Sequence, residues 1–237
     1  MTMSSVPRYV AFDLETTGVD PFNDVPVSYA FVEFVAPTGT RITNVKAGLT
    51  NPGVPIPEGA SAIHGIYDGD VALATPLSVV VEGIAALITS LWSRGVILVG
   101  MNPSYDLTMV NSLCARLGLP TLEERGPIGP VLDTLILDKH FDTYRKGGRK
   151  LVDLCAHYQV TLTDAHSAAA DSEASLLVLE ALLAKYPQIL DIPPNQINET
   201  LSLWNTVSLR SLSKYLEKKG DPPVPEGRYY WPINTAD

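Results

Sequence analysis

Tyr9-Val10-Ala11-Phe12-Asp13-Leu14-Glu15-Thr16-Thr17-Gly18 reads as a buried β-strand that runs into a turn. Side chains alternate across a strand, so Val10, Phe12 and Leu14 share one face while Tyr9, Ala11, Asp13 and Glu15 share the other. Two carboxylates then stand side by side at the end of an otherwise apolar strand. They repel each other and resist desolvation. A divalent cation relieves both costs, and hard cations such as magnesium and manganese take oxygen ligands of this kind. A strand that simply ends at the surface, with its acids in water, is the other reading of the same residues. The rest of the chain has to separate the two.

Around this stretch lie 237 residues, enough for one large domain or a domain with a small extension. Hydrophobic residues make up 46% and charged residues 18%, the balance of an ordinary folded domain. No apolar run is long enough to span a bilayer, and Met1–Val6 lacks the blocks of a signal peptide, so no membrane partner is expected. Cys114 and Cys155 sit in apolar helical stretches and read as buried free thiols, which points to a cytoplasmic setting. The net charge of −9 counts against a broad basic surface for nucleic acid. It leaves room for an enzyme whose acids bind metal and whose grip is local.

In chain order, Val27–Val35 alternates as a second strand, Pro37–Thr40 is a turn, and a third strand lies near Arg41–Leu49, giving an antiparallel meander. Residues 51–76 are rich in Pro and Gly, with a short helix over Glu58–Ile63. Its end, Ile63-His64-Gly65-Ile66, reads on its own as a loop that packs Ile63 inward and leaves His64 exposed. Helical spacing covers Leu77–Trp92, a buried strand Val96–Val99 follows, and a helix runs from about Tyr105 to Leu117 with Asp106 in its first turn. Strand, helix and further strand suggest parallel additions to the sheet. Val131–Leu137 is a strand or strand-to-helix element. Arg145, Lys146, Arg149 and Lys150 surround a Gly-Gly hinge and form the densest basic cluster; a solvated loop is the plain reading, phosphate contact the functional one. After a short helix at Leu151–His157, His166 leads into a helix running to about Tyr186. There Asp171, Ala174, Val178 and Leu182 share a stripe in which a lone Asp is costly unless it meets a cation. A last amphipathic helix carries Ile197, Leu201, Trp204, Ser208, Leu212 and Tyr215, before a Pro-rich tail with Tyr229, Tyr230 and Trp231.

Taken together the motifs are specific. Phe12-Asp13-Leu14-Glu15-Thr16-Thr17-Gly18, Asn102-Pro103-Ser104-Tyr105-Asp106 and His166-x-Ala168-x-x-Asp171 resemble the three motifs of the DnaQ-like, DEDD-type 3′–5′ exonucleases, a family that includes the epsilon proofreading subunit of bacterial DNA polymerase III, RNase T and oligoribonuclease. The histidine five residues before the last acid, with Ser167 where the other branch has tyrosine, resembles the DEDDh branch. The tail, with Trp204 and Trp231-Pro232, is similar to extensions of actinobacterial and phage epsilon-like proteins.

The resemblance implies an α/β, RNase H-like mixed five-stranded sheet, order 3-2-1-4-5, flanked by helices. It divides the chain into an exonuclease domain, 1–186, and a C-terminal extension, 187–237, packed on the domain or on a partner. It implies two Mg2+ or Mn2+ ions held by Asp13, Glu15, Asp106 and Asp171, with His166 as the base. Thr16, Thr17 and Asn102 would contact substrate, and Ile63 and His64 would pack against the last base. The implied substrate is the 3′ end of a single strand, DNA ahead of RNA, with release of nucleoside 5′-monophosphates. A DNA polymerase is the implied partner. An RNA 3′-exonuclease and a non-catalytic polymerase-associated module are the alternatives.

Overall fold

The computed structural model of the chain describes residues 8–35, 42–161 and 167–236. The turn at Pro37–Thr40 and His166 lie outside them. β1 (Arg8–Thr16) pairs antiparallel with β2 (Pro26–Val35), Phe12 opposite Phe31, and β2 pairs antiparallel with β3 (Ile42–Asn51). On its other edge β1 runs parallel to β5 (Ile97–Gly100), which runs parallel to β6 (Val131–Asp133). These five strands stand in the expected order, with the opening strand central. A sixth strand, the two-residue β4 (Thr75–Pro76), extends the sheet beyond β3. Two residues carry no alternation to read, so only the fold reveals it.

The parallel crossovers use helices. α3 (Leu77–Ser93) leads into β5, and α4 (Pro103–Arg116) and α5 (Leu122–Arg125) lead into β6. α6 (Thr134–Phe141), α7 (Leu151–Tyr158) and α8 (Ala168–Lys185) follow it. The loop before α3 carries α1 (Glu58–His64) and α2 (Asp68–Val71). Alternation along β1 feeds two apolar layers. Val10, Phe12 and Leu14 join Ile84 and Ile88 of α3 and Leu107 and Val110 of α4. Tyr9 and Ala11 join Leu137 of α6 and Leu176 and Leu179 of α8. Phe12 stacks on Phe31 with ring centroids 4.6 Å apart. Cys114 and Cys155 are buried free thiols, one in each layer.

α9 (Ile197–Lys219) follows two 3-10 turns, Pro187–Asp191 and Pro194–Gln196. Ile197 and Leu201 are buried against α6 and β6, and Trp204 stacks on His140 at 3.7 Å. The expected stripe does not continue inward: Leu212 and Tyr215 are exposed, and Leu209 is buried instead. The eight residues of α6 span about 12 Å, roughly a third of the 23-residue α9, so its distal half has little to pack against. Asn198 ties α9 to the start of β6, its Oδ1 accepting from the Val131 N–H at 2.9 Å and its Nδ2 donating to the Gly129 carbonyl at 2.8 Å. No helix among the described residues is long and apolar enough to cross a membrane.

Candidate active site

The carboxyl end of β1 gathers acids from both layers. Asp13 and Glu15 point toward α8, where Ser167 caps the helix by accepting the Ala170 N–H at 3.3 Å and places Asp171 in the first turn. Buried Ala174, Val178 and Leu182 hold α8 against the sheet. Asp13, Glu15 and Asp171 each offer a carboxylate oxygen, and these three lie within 4.8 Å of one another. Asp106 arrives from the opposite layer, on the first turn of α4, and its Oδ1 accepts the Leu14 N–H at 3.1 Å. Pairing of β1 with β5 stops at Ala11, which leaves that amide for a side chain. Gly100 permits the approach, because a Cβ there would lie 2.9 Å from Pro103 Cβ and 3.3 Å from the Phe12 carbonyl oxygen.

The acids raise one another's pKa values. Burial pushes Asp13 well above the usual carboxylate range, and the charges that add to it are Asp106, Glu15 and Asp171. Glu15 is pushed up to about 7, by burial first and then by Asp171. Burial also raises Asp106, opposed by backbone donors including Leu14 and reinforced by Glu15 and Asp133. Clustered oxygens under this strain fit a hard divalent cation.

The turn after Glu15 is locked. The hydroxyls of Thr16 and Tyr105 converge on the Gly18 carbonyl at 2.7 and 2.6 Å. Thr17 donates to Asp24 Oδ1 at 2.9 Å and accepts the Val25 N–H at 3.1 Å. Gly18 is required there, since a Cβ would meet the Asp24 carboxylate at 2.5 Å. α1 ends beside this turn. The expectation from its loop alone is reversed, because Ile63 is 62% exposed and His64 is the part-buried residue. The left-handed Gly65 ends α1, and His64 Nδ1 accepts the Ile66 N–H at 3.0 Å, turning the ring inward. Burial lowers the imidazole pKa, opposed by the backbone of Thr16.

The family model described as Exonuclease (RNase_T) matches residues 10–179. The chain belongs to the exonuclease family. Its domain is of the DnaQ-like 3′–5′ class, which hydrolyses phosphodiester bonds. The chain is 27% identical over 208 residues to the PolC-type DNA polymerase III of Caldanaerobacter subterraneus subsp. tengcongensis, covering 88% of this chain and 14% of that protein. It is 30% identical over 175 residues to the PolC-type DNA polymerase III of Bacillus subtilis strain 168, covering 74% and 11%. The exonuclease chain therefore spans a small fraction of these relatives. E. coli Exonuclease I in complex with a dT13 oligonucleotide superposes with a TM-score of 0.63 at 18% identity, over 78% of this chain and 43% of that one. Exonuclease I from Methylocaldum szegediense does so with a TM-score of 0.66 at 18% identity, over 84% and 45%. These two likenesses are of fold.

The exonuclease domain also uses residues that sequence reasoning passed over. Asp133 ends β6 as the cap of α6 and is buried; its Oδ1 accepts N–H bonds from Leu135 at 2.7 Å, Ile136 at 3.4 Å and Asn102 at 3.1 Å. Burial pushes it up to about 6 against those donors. The third bond secures Asn102 in the left-handed region, φ 61°, at the start of the helix that aims Asp106. Val131-Leu132-Asp133-Thr134, a buried strand meeting a helix cap, is the signal that could have found it. Tyr105 was legible only as a letter of the second motif.

The basic cluster is divided. Arg145 and Arg149 turn inward to Asp138, which is fully buried: Arg145 Nη2 lies 2.9 Å from Asp138 Oδ2, and Arg149 pairs with the same oxygen. Tyr158 donates to Asp138 Oδ1 at 2.8 Å. Arg149 also donates to the Asp142 carbonyl at 2.7 Å, and Arg145 to that of Gly148 at 2.9 Å. These two guanidiniums organise the loop, which corrects the reading of four solvated cations. A buried acid seven residues upstream of Arg145 had no local signal. Lys146 and Lys150 are exposed.

Proposed function

We propose that the chain removes nucleotides from the 3′ end of single-stranded DNA by metal-dependent hydrolysis, releasing nucleoside 5′-monophosphates. The observation that carries this is the meeting of Asp13, Glu15 and Asp171 oxygens within 4.8 Å, with Asp106 on the neighbouring amide. An all-carboxylate donor set suits Mg2+ or Mn2+, and these four acids would hold two ions. When bound, such ions supply Lewis-acid stabilisation of the attacking and leaving oxygens of an in-line displacement.

The remaining roles belong to the chain. His166, five residues before Asp171, takes the proton of the attacking water, a task its motif spacing supports. Thr16, Thr17 and Asn102 hold the terminal nucleotide. Exposed Ile63 and the adjacent His64 pack against its base. Lys146 and Lys150 meet backbone phosphates, and Arg145 and Arg149 act through the loop that presents them. DNA is favoured because the relatives are named DNA polymerase III and the E. coli Exonuclease I structure holds dT13. In the same reading residues 1–186 are the exonuclease unit, 187–237 an extension docked on it, a DNA polymerase the partner and the cytoplasm the setting.

The test is a 5′-labelled single strand, DNA or RNA, incubated with Mg2+ or with EDTA. A stepwise ladder on DNA that EDTA and Asp13→Ala both abolish is the expected result, with a pH–rate profile that rises near about 6.5 and flattens in His166→Ala. A stronger ladder on RNA overturns the DNA preference. Strand binding without cleavage by pure wild-type protein overturns the enzyme.

A further inference from the structure

A cleft of about 810 Å³, within the range of ligand sites, opens beside the acids. One wall is the turn after Glu15 and the start of α4, with Thr16, Gly18, Asn102 and Tyr105. The other wall comes from the far end of the chain and includes Arg228 and Thr235. This second wall is fixed. The Asn234 N–H donates to Thr108 Oγ1 at 2.8 Å, on the helix that carries Asp106, and Asn234 Nδ2 donates to the Tyr230 carbonyl at 2.7 Å. The Thr235 N–H reaches the Gly227 carbonyl at 3.2 Å, and Trp231 and Ile233 pack on the apolar layer beneath β1.

Arg228 is the one cation of the cleft's lining among the described residues; it is exposed and has no carboxylate partner among them. The acid that also lines the cleft, Asp20, is engaged within its own turn, accepting the Phe22 N–H at 2.9 Å and Asn23 Nδ2 at 2.7 Å. Lys139 of α6 stands close enough to feel Arg228. Burial lowers its ammonium pKa, Asp133 opposes this, and Arg149 and Arg228 add repulsion. An exposed guanidinium on the lining of a cleft, with no carboxylate partner among the described residues, favours an anion there. In a chain of net charge −9, one guanidinium held by a fixed wall matters more than it would on a basic surface.

We propose that the C-terminal tail completes the substrate cleft, with Arg228 binding the backbone phosphate of a nucleotide upstream of the 3′-terminal one on a single DNA strand. The inference rests on the exonuclease reading for its substrate. Its test is the affinity of fluorescein-labelled twelve-nucleotide oligothymidylate and oligoadenylate, by anisotropy in EDTA across a salt series. Arg228→Gln should bind both about tenfold more weakly at low salt, and the slope of log affinity against log salt should shrink by about 0.7, the share of one phosphate contact on a single strand. Arg228→Lys should keep the slope, and Arg228→Glu should lose more than the Gln variant. An unchanged slope in Arg228→Gln, or a loss confined to one base, overturns the assignment. Far-UV circular dichroism and Tm check that each variant folds. A wild-type ladder with an unchanged Arg228→Gln slope removes the tail from the cleft and leaves the exonuclease standing. A reduced Arg228→Gln slope beside a wild-type protein that cuts nothing does the reverse.

Discussion

Burial and three further carboxylates all push the Asp13 pKa in the same direction, upward. Glu15, at about 7, and Asp133, at about 6, share the condition. The sign of the consequence is fixed by linkage. A carboxyl whose folded pKa lies above its unfolded value binds more protons folded than unfolded, so it withdraws stability as pH rises between the two. For Glu15 the window runs from about 4, the unfolded range, to about 7, and for Asp133 to about 6. Metal-free protein should therefore gain more from Mg2+ as pH rises, with a Tm increase on the order of 5 °C larger at pH 8 than at pH 5. Differential scanning fluorimetry with EDTA or Mg2+ reads this directly, and a Mg2+ effect that is flat with pH would refute it. The same site was legible in part. Asp13, Glu15, Asp106 and Asp171 stand out by type and spacing, whereas Asp133 looks like any helix cap until Asn102 is seen to donate to it.

At the scale of elements, Arg145-Lys146-Gly147-Gly148-Arg149-Lys150 shows why spacing alone misassigns charge. All four cations look equivalent in sequence, yet two of them close on Asp138 inside the loop and two stay in water. Removing the buried partner leaves two guanidiniums and the Tyr158 hydroxyl uncompensated, which typically costs about 3–5 kcal/mol. Asp138→Ala should thus lower Tm on the order of 10 °C, while Lys146→Gln should leave it within about 1 °C and weaken strand binding. Equal Tm values for the two variants would mean the loop is held by something else. β5 and α4 make the opposite case. Gly100 and Pro103 at the first helical position favour a tight strand-to-helix turn locally, and the helix starts at Pro103, two residues before the expected Tyr105, with Asp133 holding the αL Asn102 between them.

Across the molecule, one sheet carries two apolar layers, and the chain's last fifty residues close the second. Ile189, Ile197 and Leu201 are buried there, each contributing about 1.5–3 kcal/mol by area alone. Their sum approaches the whole stability of an ordinary domain. A chain ending at residue 186 should therefore lose cooperative unfolding, although the matched family region ends at 179. Thermal denaturation of the truncated protein decides the matter. A transition within a few degrees of full length would show the extension to be dispensable.

What the sequence determined by itself follows from periodicity and local chemistry. Period-two alternation set β1 and put Asp13 and Glu15 on one face, helical spacing set α3 and α8, and turn residues fixed where most of these elements end. The four acids and the five-strand order came with motif and family, because a cation site constrains residue types as tightly as position. Only tertiary structure decided which side chains meet across distance. It turned Ile63 outward, closed Arg145 and Arg149 on Asp138, added β4 at the edge, and seated the tail against Thr108. The tail and β4 depend on partners far along the chain, Ile63 on the room left by packing, and the two arginines on how their loop folds back over α6. None of these leaves a mark in a window of local sequence.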